Sequence, residues 1–362
     1  TLGYQDWGFL TASARNDWTS TLEEANRSFL YPSVSLSVLP LDALSISNQN
    51  LNFLKVRFGF GTSAGYPPPY STRGSLATST NVFKTGGGTT LNSNAVSNFY
   101  ANPDLTPEIH KELELGIEGK FFKNRVGLDV SLYTKDSEDL IIDLDLDKST
   151  GYSSSTVNSA SINNKGVEAI LNVIPVQSRD FTWEVIGSFS LLRSEVISIA
   201  DGIDQIYVGG YVGRGNIAIP GLPYGILEGE LITRDYGSLD GTDHTQVGWE
   251  GRTAYTPIVN ANGGYQFLGY GVIGNPQPDF IYGVTNTLSY KWATLRVQFD
   301  SQVGGDVFST TNSTLLGRGI LQETDFDRFV PVVTNGLSAD GTANTTQTTA
   351  NAHYWPNTGC LL

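Results

Sequence analysis

The stretch KELELGIEGK, residues 111–120, alternates aliphatic with charged side chains. The aliphatic residues are Leu113, Leu115 and Ile117, the charged ones are Glu112, Glu114 and Glu118, and Gly116 and Gly119 fill the remaining slots. Successive side chains of a β-strand point to opposite faces of the sheet, so one face here is aliphatic and the other is charged. Such a strand has to lie between an apolar environment and water.

The same alternation recurs along the chain. It is found in residues 54–60, 126–132, 140–146, 167–173, 181–191, 280–290 and 295–299. No segment of comparable length has the period of an amphipathic helix. The pattern therefore predicts an all-β protein with about nine or ten strands, each near the length that crosses a membrane in a barrel.

The connections between these segments differ in length. Tight turns are predicted near Lys123-Asn124, Gln177-Ser178 and Lys291-Trp292. Long segments rich in Gly, Ser, Thr, Asn and Asp are predicted at residues 61–107, 147–163 and 194–278. Alternate connections of a barrel emerge at opposite ends, so short turns are expected at one rim and long loops at the other. This asymmetry is typical of a transmembrane antiparallel β-barrel of the outer-membrane type.

Aromatic residues cluster near the short turns, as an interfacial girdle would. They are Phe121, Phe122, Trp183, Tyr290 and Trp292. A soluble β-sandwich or propeller also has half-buried, alternating strands, so that alternative stays open at this point. Strands longer than the usual 5–6 residues of soluble sheets favour the barrel.

Composition excludes one class of partner. The chain has 22 Lys and Arg against 36 Asp and Glu, a net charge of −14. Nucleic-acid binding needs a basic face, so no nucleic-acid partner is expected. The only cysteine, Cys360, cannot form an internal disulfide. The sequence begins at Thr1 without a signal-peptide pattern, and it has no run of about 18 apolar residues for a membrane helix.

The sequence predicts no enzyme and no cofactor. The three histidines, His110, His244 and His353, lie far apart. The glycines at 86–88 lack the Lys-Ser/Thr of a phosphate-binding loop, and no nucleophile elbow is present. The glutamates of the opening stretch need no catalytic role on a strand that faces water.

Two groups of residues are candidates for binding. Asp143, Asp145 and Asp147 alternate near a loop and form a weak candidate for Ca²⁺, although a solvated anionic rim explains them as well. The segment 207–278 is the most aromatic of the long loops. Its candidates for substrate contact are Tyr211, Trp249, Tyr255, Tyr265 and Tyr270. Aromatic rings stack on sugars or clamp peptides, but the same rings would also pack a loop's own core.

Several segments in order resemble one family. They are NPDLTPEIHKELELGIEGKFFKNRVGLDVSLYTKDSEDLI, NNKGVEAIL, DFTWEV and IGNPQPDFIYGVTNTLSYKWATLRVQF, preceded by ARNDWTSTL and YPSVSLSV. From about residue 10 to residue 308 they look like the barrel of SusC-like TonB-linked outer-membrane transporters of Bacteroidota. No single motif is diagnostic, but their order and spacing are specific.

The resemblance implies a barrel of about 22 strands with a plugged lumen in the outer membrane of a Gram-negative bacterium. It also implies energised uptake of glycans or peptides, contact with TonB and with outer-membrane lipid, and a SusD-like lipoprotein lid. The plug domain, the TonB-contacting box and the last barrel strands are not found, so residues 1–362 are expected to be a partial barrel domain. The alternative function is a soluble or surface-exposed β-sandwich that binds carbohydrate or acts as an adhesin.

Overall fold

One antiparallel sheet contains most of the alternating segments. In this computed structural model the described residues are 1–78, 83–91, 94–232, 234–235, 256–325, 327 and 329–349. The chain divides into two units, of which the first contains residues 1–206, 219–221 and 280–302 and the second contains residues 207–218, 222–279 and 303–362. Among the described residues, no helix is long and apolar enough to cross a membrane.

The main sheet belongs to the first unit, and its strands lie side by side in chain order. Strands are numbered along the whole chain, and ten described strands form the path of the sheet. They are β1 (Leu2–Tyr4), β2 (Gly8–Trp18), β3 (Ser28–Val38), β4 (Leu51–Gly65), β10 (Glu108–Phe121), β11 (Val126–Asp145), β12 (Ser154–Gln177), β13 (Phe181–Ser198), β20 (Phe280–Tyr290) and β21 (Ala293–Val303). The strand count therefore agrees with the prediction.

The remaining elements are short. In the first unit they are helix α1 (Pro40–Ala43), β5 (Leu76–Thr78), β6 (Phe83–Lys84), β7 (Thr90–Leu91), β8 (Asn94–Val96), β9 (Phe99–Tyr100) and a 3₁₀ turn at Lys148–Thr150. The second unit has a four-stranded sheet of β14 (Ile206–Tyr211), β15 (Arg214–Ala218), β16 (Ile226–Ile232) and β19 (Phe267–Gly274). It also contains β17 (Arg234–Asp235), β18 (Thr256–Pro257), helix α2 (Thr310–Arg318), a 3₁₀ turn at Gln322–Thr324, β22 (Val332–Val333) and β23 (Gln347–Thr348).

The register of the main sheet brings the aliphatic residues of successive strands into continuous rows on one face. The longest such row is Leu2, Leu10, Leu36, Phe58, Leu115, Leu132, Val167 and Leu191, each directly opposite the next. We call this face, which also carries Leu113 and Ile117, the apolar face. The opposite face, which carries Glu112, Glu114 and Glu118, is the polar face.

The predicted tight turns are confirmed. Residues 122–125 join β10 to β11, residues 178–180 join β12 to β13, and residues 291–292 join β20 to β21. The backbone amides of Lys123 and Asn124 both donate to Oδ1 of Asn52, at 2.6 and 3.3 Å, which secures the first of these turns. All three turns lie at the same end of the sheet because the strands alternate in direction.

The predicted long loop at residues 147–163 is wrong. Strand β11 continues to Asp145 and β12 begins at Ser154, so only residues 146–153 connect them. The segment from Ser154 to Asn163 is mostly polar, and its few apolar residues, Val157, Ala160 and Ile162, do not alternate, so it lacks the pattern that identifies a half-buried strand. The backbone ladder between β11 and β12 pairs this segment with residues 137–145.

The two predicted strands at 126–132 and 140–146 are one strand interrupted by a bulge. The register shifts between Ser137 and Ile141, and Asp139 has a left-handed backbone with φ of 55°. A bulge leaves backbone groups without ladder partners. Here Glu108 Oε1 accepts from the Ile141 amide at 2.8 Å, and the Asn158 amide donates to the Asp139 carbonyl at 2.8 Å. Side chains of both neighbouring strands thus form hydrogen bonds with backbone groups that the bulge leaves without ladder partners.

Candidate functional site

The apolar side chains of the main sheet are exposed rather than buried in a core. Leu113, Leu115 and Ile117 are 43%, 45% and 49% exposed. Their neighbours Phe58 and Leu132 on the adjacent strands are also exposed. Soluble monomers rarely expose contiguous apolar patches larger than a few hundred Å², so this face needs an apolar medium or partner.

The apolar face has two well-defined edges. On β10 it runs from Leu113 to Phe121, about the nine to eleven residues that a tilted strand needs to cross the hydrocarbon core. At the turn end it is bordered by exposed aromatics such as Trp292 and Tyr290. At the other end the rows continue into polar residues, first Thr134 and then Asp136 on β11. We call the zone between these edges the apolar band.

An arginine organises the charges of the polar face. Arg57 on β4 donates from Nη1 and Nη2 to the two carboxylate oxygens of Asp129 on β11, at 3.0 and 2.6 Å. It also donates to Glu114 Oε1 at 3.3 Å and to the Ser131 hydroxyl at 2.6 Å. The Ser131 hydroxyl in turn donates to Glu114 at 3.1 Å. One guanidinium thus links three strands and compensates two carboxylates.

Gly116 makes this arrangement possible. It lies on β10 directly between Arg57 on β4 and Ser131 on β11. A Cβ at this position would lie 2.7 Å from Cγ of Arg57 and would overlap its guanidinium. The glycine of the opening stretch therefore leaves a channel through which the arginine crosses its neighbouring strand. Gly166 has the same relation to the ring of Tyr133, which lies over it.

A second cluster lies on the polar face of β2 and β3. Arg15 Nε donates to Asp17 at 2.7 Å, and the Tyr31 hydroxyl donates to the other carboxylate oxygen. The Arg15 guanidinium lies 5.9 Å from the centre of the Tyr31 ring, which stacks on Phe29 at 6.1 Å. Sequence reasoning missed this cluster, although alternation within ARNDW and FLYPS places these four residues on one face.

A groove of about 370 Å³ lies on the polar face beside Gly59 and Gly61 of β4. Its polar lining comes from Ser33, Ser35, His110, Glu112, Glu114 and Lys135. Small residues on β3 and β4 leave this space, and charged residues of β10 and β11 border it. The polar face is therefore grooved and lined by charged and polar side chains, as the lining of an aqueous lumen would be.

The loops at the end of the sheet opposite the tight turns hold one another. Arg73 Nε and Nη2 donate to both oxygens of Glu23 at 2.8 and 2.7 Å, which ties residues 66–74 to residues 19–27. Asn26 donates to the carbonyl of Leu105 at 3.1 Å, and the Leu105 side chain is fully buried. These contacts hold residues 66–74 and Leu105 against residues 19–27 at the rim.

The salt bridge between Glu23 and Arg73 should persist at mildly acidic pH. The hydrogen bonds from Arg73 lower the pKa of Glu23 from 4.5 to about 2. A carboxyl whose pKa is lower in the folded protein contributes stability above its unfolded pKa and loses that contribution as the pH falls toward its folded pKa. The protection of amides in residues 19–27 and 66–74 against hydrogen exchange, expressed relative to the intrinsic exchange rate at each pH, should therefore be unchanged from pH 7 to 5 and fall below about pH 4.

Glu23→Gln should lower the protection of backbone amides in residues 19–27 and 66–74 already at pH 7. The neutral glutamine side chain cannot form a salt bridge with Arg73. The matched control is Glu24→Gln, since Glu24 makes a single exposed contact with Arg27 at 3.3 Å. Equal protection in Glu23→Gln and in the unchanged protein at pH 7 would show that the salt bridge does not hold the two loops together.

The structure describes three of the five aromatic residues proposed from the sequence to contact substrate, and all three lie in the second unit. Tyr211 ends β14, Tyr265 is half-buried, and Tyr270 on β19 is 55% exposed with its ring over Gly213. Trp249 and Tyr255 lie outside the described residues. The Glu228 carboxylate, buried on β16, accepts from the Tyr207 hydroxyl at 2.6 Å and from the Gly213 amide at 2.8 Å, which links β14 and the following turn to β16.

Asp143 and Asp147, two of the three aspartates proposed with Asp145 as a weak calcium site, make separate contacts. The Asp143 carboxylate accepts from the Thr156 hydroxyl at 2.5 Å. Asp147 lies beyond the strand and caps the 3₁₀ turn, accepting from the Ser149 amide at 2.8 Å, and hydrogen bonds with the Ser149 side chain and backbone lower the pKa of its carboxyl. In the part of the chain that the structure describes, no three His, Cys, Asp or Glu side chains are grouped to hold a metal ion.

Comparisons with known proteins agree with this geometry. The family described as "TonB dependent receptor-like, beta-barrel" matches residues 2–300. The TonB-dependent receptor P26 of Formosa agariphila is 28% identical over 324 residues, which cover 84% of this chain and 31% of that receptor. The TonB-dependent receptor SusC of Bacteroides thetaiotaomicron is 24% identical over 219 residues, 57% of this chain and 21% of SusC.

Among solved structures, the RagAB peptide transporter shares the fold, with a TM-score of 0.73 and 18% identity over 99% of this chain and 38% of that chain. The chain thus spans about a third of the length of the first of these relatives. A β-sandwich, the alternative left open by the sequence, is wrong, because the strands form one meandering sheet of the barrel family. The chain belongs to the TonB-dependent receptor β-barrel family of the outer membrane, and its main sheet is part of such a barrel.

Proposed function

We propose that this chain is a section of the barrel wall of an outer-membrane transporter that takes up oligosaccharides or peptides. The observation that carries the proposal is the two-faced main sheet. The apolar band contacts lipid, and the polar face with the Arg57 network lines the lumen. A sheet with an aqueous side that is grooved and charged suits the passage of a hydrophilic solute.

The path of the described sheet ends at β1 and β21. Unpaired strand edges cannot be satisfied by lipid, because each exposed N–H and C=O would lose its hydrogen bonds to water. Further strands of the complete protein therefore pair with these edges and close the barrel. A plug domain in that protein fills the lumen, and TonB supplies the energy for uptake.

The name of one similar structure supports the peptide class, and the resemblance of the sequence to SusC-like transporters supports the glycan class and a lipoprotein partner. The similar solved structure is named the RagAB peptide transporter. SusC is a second relative. The resemblance of the sequence to SusC-like transporters implies glycan uptake with a SusD-like lid. We propose a SusD-like lipoprotein that sits over the loops of this barrel, and an oligosaccharide or peptide as its cargo.

Uptake by the complete transporter tests this function. Cells that produce it should accumulate a labelled oligosaccharide or peptide mixture, and inactivation of TonB should abolish accumulation. Mass spectrometry of the retained material identifies which class is transported. If neither class is accumulated above the level of cells without the transporter, the proposed function is wrong.

Orientation gives an independent prediction. The three tight turns should face the periplasm, and residues 66–107 and 199–279 should face outside, because long loops of such barrels are extracellular. Protease added to intact cells should cut within these two segments and spare residues 122–125, 178–180 and 291–292. Cleavage at the turns in intact cells would reverse the topology.

The aromatic segment 207–278 is proposed to contact substrate. Aromatic anchors dominate many binding sites because each buries a large area at low entropic cost. Trp249→Ala and Tyr265→Ala in the complete transporter should each weaken ligand binding by roughly 1–2 kcal/mol, measured by calorimetry. Heat-modifiable gel migration should show an unchanged barrel. Unchanged affinity in both variants would exclude this segment as the site.

A further inference from the structure

The tight-turn end of the main sheet carries an excess of positive charge. The turns at residues 122–125, 178–180 and 291–292 contain four of the 22 Lys and Arg of the chain but only one of its 36 Asp and Glu. The four cations, which we call the turn cations, are Lys123, Arg125, Arg179 and Lys291, and the one carboxylate is Asp180. These nine residues therefore have a net charge of +3 in a chain whose net charge is −14. The excess is confined to the strands from β10 to β21, because the earlier connections at this end carry Asp6 and Asp42 instead.

Backbone hydrogen bonds hold the three turns in one row. The Ile174 amide donates to the Arg125 carbonyl at 2.7 Å, which joins the first turn to β12. The Lys291 amide donates to the Asp180 carbonyl at 2.9 Å, which joins the second turn to the third. Because neighbouring strands lie about 4.8 Å apart, alternate turns are about 10 Å apart, and the row is about 20 Å long. The turn cations are therefore spread along a line at one edge of the apolar band.

The turn cations are not neutralised within the part of the chain that the structure describes. None of the four forms an ion pair with a carboxylate there. Other cations of the same sheet do, since Arg57 is paired with Asp129 at 2.6 Å and Lys111 with Glu138 at 2.5 Å. The positive charge of the row is therefore open to anions from outside the chain.

Exposed aromatic rings place the row at the membrane interface. Phe122, Tyr290 and Trp292 are 53%, 55% and 94% exposed, and aromatic side chains gather where hydrocarbon meets the lipid headgroups. The Nζ of Lys291 lies 5.3 Å from the centre of the Tyr290 ring. Tyr290 is directly opposite Phe181 on the apolar face. The Lys291 ammonium is therefore on the lipid side of the sheet, at the level of the headgroups.

We infer that the turn cations bind anionic phospholipids of the leaflet next to the tight turns. Juxtamembrane Lys and Arg attract lipids with a net negative headgroup, and such a headgroup supplies the anion that the chain itself does not. The long side chains can reach the phosphates while their aliphatic stems stay against apolar surface. A zwitterionic phospholipid carries the same phosphate without net charge, so it should be attracted less. The inference concerns the lipid contacts of the sheet and not transport, so failed uptake would leave it standing.

The lipid composition beside the turns tests the inference in the complete protein. A bimane fluorophore is attached through Trp292→Cys after replacement of Cys360, and the protein is placed in vesicles of equal parts phosphatidylglycerol and phosphatidylcholine. In two parallel samples a small fraction of one lipid or of the other carries a nitroxide quencher, so the ratio of quenching reports the ratio of the two lipids beside the turn. Phosphatidylglycerol should be enriched about fivefold, as expected for one cation near the lipid surface, and about 1 M salt should remove the enrichment. Equal quenching by the two lipids overturns the inference, as does no quenching by either.

Variants assign the enrichment to the turn cations. Arg179→Gln combined with Lys291→Gln should bring the lipid ratio close to one, and the charge-conserving exchange Arg179→Lys with Lys291→Arg should preserve the enrichment. The matched control is Lys55→Gln with Lys120→Gln, which removes two charges at the same end of the sheet but from its polar face, where Lys55 lies opposite Glu118. Heat-modifiable gel migration should show a folded barrel in all variants. Enrichment that survives the first variant, or that falls equally in the control, overturns the assignment.

Discussion

Leu115→Arg in the complete protein should destabilise the folded barrel by about 2–4 kcal/mol. Leu115 lies in the middle of the apolar band on β10, between Phe58 and Leu132, and its side chain is 45% exposed. Lipid cannot hydrate a guanidinium near the bilayer midplane, and the charge is too far from either edge to reach water easily. Urea titration of the protein in phospholipid vesicles measures this loss.

Glu114→Gln is the matched control because Glu114 is the next residue on the same strand and faces the other way. Glutamine keeps an oxygen that accepts from Arg57 and Ser131, so the cost should be small. A Leu115→Arg variant as stable as the unchanged protein would mean that the apolar face of β10 is not in contact with lipid.

Gly116→Val should destabilise the barrel by about 1–3 kcal/mol, the usual cost of inserting side-chain volume into a filled space. The new Cβ would occupy the path of the Arg57 side chain, so the guanidinium would have to leave Asp129 and Ser131. This result would be unusual for an exposed strand, where valine normally pairs better than glycine.

A double-mutant cycle separates the two effects. In an Arg57→Ala background the space over Gly116 is empty, so Gly116→Val should cost little or even stabilise the strand. The difference between the two backgrounds, measured by the same urea titration, is the interaction between Gly116 and Arg57. Equal costs in both backgrounds would show that the valine acts through the backbone and not through the arginine.

The strands inside the apolar band could be predicted because lipid and lumen impose opposite requirements on successive residues. Leu113, Leu115 and Ile117 were assigned to one face on this basis, and the structure confirms that they share it. The turns at 122–125 and 291–292 followed from the gaps between alternating segments. Alternation is thus a reliable guide where one face of the strand contacts lipid and the other contacts water.

Beyond the band both faces meet water, so a strand there need not alternate; residues 140–146 of β11 still do, but the start of β12 does not. For this reason the start of β12, from Ser154 to Asn163, was taken for a loop, and the continuity of β11 through the bulge at Asp139 was missed. The bulge depends on Glu108 and Asn158, which are distant in sequence and meet only through the register of three strands.

The details of the polar face could not be predicted for a related reason. Arg57 and Asp129 are 72 residues apart, and their contact requires the order β4, β10, β11 and the exact offset between these strands. The need for a glycine at position 116 becomes clear only from the Arg57 side chain that crosses it. Single-strand patterns identify which residues face the lumen, but only strand pairing identifies which of them touch.

Membrane placement of the main sheet is tested most directly by spin labels on β10. Single cysteines at positions 112, 113, 114 and 115, placed in the complete protein in lipid vesicles after replacement of Cys360, would carry the labels. Labels at 113 and 115 should be quenched by oxygen dissolved in the bilayer, and labels at 112 and 114 by a water-soluble nickel complex. Accessibility of 113 and 115 to the nickel complex, with 112 and 114 protected from it, would contradict the assignment of the two faces.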